Sequence, residues 1–174
     1  AFVEQVDAVM ADPIDIFVPH WYVGAANLLR GFSAEQRAKM DQGLQEIAAA
    51  GAQIALMDYL TAVRRRAELG AAMRRFHETY DLLLTPTLPL AAFEAGQERP
   101  DPVRQPRWIN WAPFSNPFNL TQQPAASVPC GLTAAGLPAG LQIVGPMHAD
   151  ALVLRAARAL EGARPWPLPE APRS

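Results

Sequence analysis

The chain is short of the residues that most often carry chemistry. It has a single cysteine, Cys130, so no intrachain disulfide can form. Its three histidines, His20, His77 and His148, lie far apart, and no Cys/His cluster has metal-ligand spacing. Neither a metal nor a cofactor is expected. Lys39 is the only lysine, and the serines are four: Ser33, Ser115, Ser127 and Ser174. No apolar run approaches the roughly 18 residues of a membrane span, and the first residues lack the basic, apolar and small-residue order of a signal peptide. A cytoplasmic protein is the expectation, with neither membrane nor nucleic acid as partner, because the formal charge is only -2. The excess of arginine over lysine reads as coding bias.

Half of the 174 residues are apolar, enough for one ordinary core. "AFVEQV" alternates Phe2 and Val6 with polar neighbours, as a short strand already in progress would, and suggests a chain that starts inside a domain. Asp12, Pro13 and Asp15 predict a helix start, with the helix running to about Arg30, bent at Pro19 and closed by Gly31. Ser33 and Gln36 form a capping-box pattern for a second helix that Gly51 stops. From a cap at Asp58, the residues Leu60, Val63, Ala67, Met73, Phe76 and Tyr80 fall near one face of a long amphipathic helix. "DLLLTP" after it reads as a strand covered on both faces, so the packing is α/β.

"AGQERPDPVRQPR" is polar and proline-rich, a surface loop. "WINWAPFSNPFN" then concentrates two tryptophans and two phenylalanines. These rings either form a satellite cluster under the loop or line an apolar pocket, and on the second reading Trp111, Phe114 and Phe118 are the substrate-binding candidates. "PAASVPCGL" and "AGLQIVG" are two strands joined by "TAAGLP", in which Gly136 supplies the turn. Ala149 to Glu161 forms a short amphipathic helix that docks on the sheet, with Asp150 suited to its dipole. The tail over 165–174 is expected to be poorly ordered. Cys130 as a nucleophile would need a histidine or cationic neighbour, which "SVPCGLT" does not offer; a buried small strand residue is the better reading, with an approach by His148 the alternative. His20 and His77 read as helix residues on crowded faces, His20 having a pocket role beside Trp21 as its alternative.

"YDLLLTPTLP" at 80–89, "PFNLTQQPAASVPCGLTAAGLPAGLQIVGP" at 117–146 and "ALVLRAARALE" at 151–161, in that order, resemble the C-terminal part of the amidase signature family. "AFVEQVDAVMADP" and "DYLTAVRRRAELGAAMRRFHETYD" resemble earlier pieces of the same fold. The resemblance implies an α/β fold, the C-terminal portion of the amidase signature fold, with a mixed β-sheet flanked by α-helices. It also implies hydrolysis of carbon–nitrogen bonds in small-molecule amides. Members of that family use a serine nucleophile, a second serine on a cis peptide bond and a lysine base, with a glycine-serine-rich loop for the oxyanion. A hydroxyl needs such a base, and the tetrahedral intermediate needs such donors.

None of the four serines adjoins another or lies in a glycine-serine-rich loop, and Lys39 sits in "AEQRAKMDQ" on a solvent-facing helix. No catalytic residue is therefore assigned within 1–174. The chain is expected to be the C-terminal part of one amidase domain, inactive alone, its partners the missing N-terminal part of the same protein or a second copy as a homodimer. In the branch that makes ammonia for misacylated tRNA, the resemblance implies an acidic residue at the place of Ala112, two before Phe114. An apolar residue there favours an amidase of apolar or aryl amides over the A-type subunit of glutamyl-tRNA amidotransferase. The reading from another class is a non-catalytic scaffold.

Overall fold

The computed structural model describes residues 1–7 and 9–166, which form two compact units divided between Ala72 and Met73. The expected poorly ordered tail lies, from residue 167 on, outside the described residues.

In the first unit, residues 1–7 have no regular structure and Phe2 is 86% exposed. The strand expected there is absent because alternation alone does not make a strand: no described strand offers its ladder bonds a partner. Helix α1 (Ile14–Leu29) continues through Pro19. Its start lies one residue later than expected, with Pro13 at the cap and Asp12 Oδ1 accepting the Ile14 N–H at 3.1 Å. The Ser33 box forms in full: Ser33 Oγ accepts from Gln36 N at 3.2 Å, and Gln36 Oε1 accepts from Ser33 N at 2.8 Å.

The helix that follows the box is not continuous to Gly51. It splits into α2 (Ala34–Ala38) and α3 (Gln42–Gly51), because Asp41 caps a new start by accepting from Leu44 N at 3.0 Å. An aspartate that can take an N-cap competes with the helix it interrupts. Helix α3 lies on α1 through Ala25, Leu29, Ile47 and Ala48, flanked by Tyr22, Met40 and Leu44. Gly51 makes this approach possible, since a Cβ there would stand 2.0 Å from the Tyr22 carbonyl oxygen.

Helix α4 (Leu56–Phe76) starts two residues before the expected cap, which places Asp58 inside its first turn. Its buried stripe keeps Met73 and Phe76 of the expected face but not Leu60, Val63 or Ala67. Ala62 and Met73 are buried, with Arg66, Leu69 and Phe76 half-buried on the same stripe, whereas Leu60 is 47% exposed and Val63 and Ala67 are exposed as well. The helix carries two apolar stripes, and hydropathy counts Leu60 and Val63 as core while ignoring the aliphatic stem of an arginine. An Asp15–Arg65 ion pair and a tilted His20–Tyr59 ring contact at 5.6 Å tie α4 to α1.

The second unit is built on an antiparallel sheet of β1 (Leu83–Pro86), β2 (Ala125–Leu132) and β3 (Pro138–Val144), with β3 in the middle. With the helices around it, this is the expected α/β class. The turn between β2 and β3 forms as expected: Gly136 takes φ 77°, and Thr133 N donates to Leu137 O at 2.8 Å. Among the described residues β1 is an edge strand, and it is not covered on both faces as expected, since Leu84 is 44% exposed. Helix α6 (Asp150–Ala163) packs Val153 and Ala157 against Val128 and Ile143, with Leu82, Leu141 and Leu160 around them. These residues occupy one face of the sheet, and the other face carries a different chemistry.

Candidate functional site

Side chains alternate across a strand, so the register assigns residues to faces. Leu84, Ala126 and Ile143 are cross-strand partners on the α6 face. One residue on, Thr85, Gln142 and Ser127 stand in a row on the opposite face. Gln142 is a polar residue only 6% exposed. Its Nε2 donates to Thr85 Oγ1 at 3.0 Å and to the Phe114 carbonyl oxygen at 3.0 Å, which uses both amide hydrogens. Next to it, Thr87 Oγ1 and Ser127 Oγ are 2.7 Å apart over Gly140.

The Gln142 bond to Phe114 holds the aromatic segment at this polar face. The segment runs through a 3-10 turn (Trp108–Trp111) into the short helix α5 (Asn116–Thr121). Asn116, 2% exposed, closes it on itself by donating to the Ile109 carbonyl oxygen at 3.4 Å. Trp111 is half-buried; its indole N–H donates to the Glu98 carbonyl oxygen at 2.9 Å and its ring meets Phe93 edge-on at 5.4 Å. Phe114 is half-buried, and Phe118 is buried on α5. The three substrate-binding candidates thus belong to one ordered segment.

The polar loop before it is ordered around Glu98. This carboxylate accepts from the Trp108 backbone N–H at 3.3 Å and pairs with Arg99 and, at 3.8 Å, with Arg107. At the far end of α5, Gln122 adopts a left-handed φ of 59°. Gln123 then donates to His77 Nε2 at 2.8 Å and to the Gly145 carbonyl oxygen at 3.0 Å. His77 Nδ1 is 2.8 Å from the Tyr80 carbonyl oxygen, which can only accept, so the proton is on Nδ1 and Nε2 receives the amide. That network leaves His77 a fastening, not a base.

Cys130 lies within β2, as expected, but is not buried. It is the extra residue of a bulge, since Pro129 pairs with Gly140 and Gly131 with Ala139; it is half-buried, and its thiol faces the Ala139 carbonyl oxygen at 3.5 Å. His148 follows the other end of β3, more than about 15 Å along the strand, so the two do not meet. His20 bonds to the Ile16 carbonyl oxygen of its own helix at 2.8 Å. The lysine, Lys39, is exposed and ion-paired with Glu35 at 3.0 Å. Ser33 is a helix cap and Ser127 lies beside Thr87, so neither has a lysine partner. Among the described residues no group of three or more His, Cys, Asp or Glu could hold a metal ion.

Sequence reasoning missed Thr85, Thr87, Ser127 and Gln142. Their signal was present as polar residues at period two within apolar runs, "LLTPT", "ASVP" and "LQIV".

An antiparallel sheet with a helix on one face and a polar row under an aromatic segment on the other defines a class that comparison with known proteins identifies. The amidase family model matches residues 19–154, and the chain belongs to that family. It is 36% identical over 135 residues to an acylamidase of Rhodococcus erythropolis, covering 75% of this chain and 28% of the acylamidase. It is 38% identical over 133 residues to the A-type subunit of the glutamyl-tRNA(Gln) amidotransferase of Parvibaculum lavamentivorans, covering 76% of this chain and 26% of that protein. The structure of a bacterial aryl acylamidase, an amidase signature enzyme, superposes with a TM-score of 0.72 at 28% identity, covering 92% of this chain and 36% of that one. The chain therefore spans between about a quarter and about a third of the length of these relatives.

Proposed function

We propose that this chain is the C-terminal part of an amidase that hydrolyses amides bearing aryl or other apolar groups. In this reading the serine nucleophile, the second serine and the lysine base lie in sequence preceding residue 1. The contribution of residues 1–174 is recognition: Trp111, Phe114 and Phe118 contact the apolar part of the substrate. The observation that carries the choice of substrate is Ala112, buried between Trp111 and Phe114. Where the amidotransferase branch calls for a carboxylate to hold the amino group of glutamine, this chain offers a methyl group. A site without that carboxylate leaves an ammonium desolvated and unpaired, and so selects against it.

The second reading, a glutamyl-tRNA amidotransferase component, is supported by the identity to the Parvibaculum protein. One measurement separates the two. The amidase polypeptide that contains this chain is assayed with acetanilide and with glutamine, and the proposal expects kcat/KM for acetanilide to exceed that for glutamine. Faster release of ammonia from glutamine would establish the second reading, and hydrolysis of neither substrate would favour a non-catalytic scaffold.

A further inference from the structure

The hydroxyls of Thr87 and Ser127 belong to chain segments that should not be able to touch. Strands β1 and β2 flank β3, and neighbouring strands lie about 4.8 Å apart, so side chains rising from the two outer strands start roughly 10 Å apart. Thr87, one residue past β1, continues the pairing, its N–H donating to the Gly140 carbonyl oxygen at 2.9 Å. Gly140 has no side chain to occupy the middle of the sheet, and the two hydroxyls close over it to 2.7 Å. A Cβ at position 140 would stand 2.7 Å from Thr87 Oγ1 and 2.9 Å from Ser127 Oγ.

One hydroxyl hydrogen is consumed in the bond between them, and the other remains to donate outward. Ser127 lies directly opposite Gln142, whose Oε1 is bonded to no described residue although the side chain is nine-tenths buried. The two ends of the Gln142 amide cannot be exchanged, because the Phe114 carbonyl oxygen requires a donor. An outward O–H and a free carbonyl oxygen thus stand side by side, one donor and one acceptor on adjacent positions of a rigid sheet. Their complement is a planar group that accepts with one atom and donates with its neighbour.

We propose that Thr87, Ser127 and Gln142 form a binding subsite for a carboxamide of the substrate other than the one cleaved. Its C=O accepts from the hydroxyl pair and its N–H donates to Gln142 Oε1. This rests on the amidase reading above and adds to it a polar requirement that the aromatic segment does not supply.

Acetanilide and 4-acetamidobenzamide share the scissile bond and differ by one distal carboxamide. In the amidase that contains this chain, the second substrate is expected to have the higher kcat/KM. The double variant Ser127→Ala/Thr87→Val, which removes both hydroxyls, cuts that preference roughly 2- to 10-fold, the worth of one hydrogen bond, through the KM for 4-acetamidobenzamide. Ser127→Thr, which keeps the hydroxyl, retains the preference. A preference that the double variant leaves intact overturns the subsite while the amidase reading stands. An enzyme that cleaves neither anilide overturns the amidase reading and the subsite with it.

Discussion

At the scale of the residue, two glycines show how an absent methyl group sets a structure. Gly51 lets the end of α3 lie against the Tyr22 backbone, and Gly140 lets two hydroxyls meet across a strand. Gly51→Ala should destabilise the first unit by about 1–3 kcal/mol or more, since the clash is with backbone that cannot rotate away, and a urea melt reads the loss directly. Ser33→Ala should cost about 1 kcal/mol. The Ser33 cap was legible in the sequence because it joins residues three apart. The place of Cys130 was not, because a bulge is a mismatch between two strands and no local pattern marks it. Trp111, Phe114 and Phe118 were legible as one ring-rich segment, and whether they serve substrate or core is a question for selectivity. If they contact substrate, Trp111→Ala should change the ratio of kcat/KM between bulky and small amides by about 1–3 kcal/mol of transition-state binding. Equal losses on all substrates would make them packing residues.

At the scale of the element, the most telling departure is that a loop which reads as mere polar connection organises the aromatic segment. Glu98 supplies its carboxylate to the Trp108 N–H and its carbonyl oxygen to the Trp111 indole. Glu98→Ala should loosen the 3-10 turn and speed exchange of the Trp111 indole proton roughly 2- to 10-fold, whereas Glu98→Gln keeps an acceptor and should hold most of the protection. Proton exchange followed by NMR measures it, and unchanged exchange in Glu98→Ala would show that the turn stands without the carboxylate. The hairpin of β2 and β3 was legible because Gly136 and the flanking apolar runs are local signals. The face that α4 presents was legible only in part: Met73 and Phe76 were read correctly, but Leu60 and Val63 compete with Ala62 and Leu69 for the same helix, and only tertiary packing chooses between the stripes.

At the scale of the whole molecule, the described residues hold the proposed recognition segment and no serine–lysine pair. Strands β1 and β2 both leave an outer edge unpaired among those residues, and Leu56, Met57 and Leu60 line an exposed apolar stripe of α4. Open edges and apolar stripes favour association. Purified residues 1–174 are therefore expected to sediment as more than a monomer or to melt with a shallow denaturant slope; a monomer with one sharp transition and an m-value suited to its size would contradict this. The central claim is that the nucleophile lies outside these residues, and labelling with an aryl-amide-protectable fluorophosphonate tests it most directly. In the amidase that contains this chain, peptide mass spectrometry should find the phosphonyl group on a serine preceding residue 1, with Ser33, Ser115, Ser127 and Ser174 unlabelled. A label on Ser127 that abolishes amide hydrolysis would contradict the account.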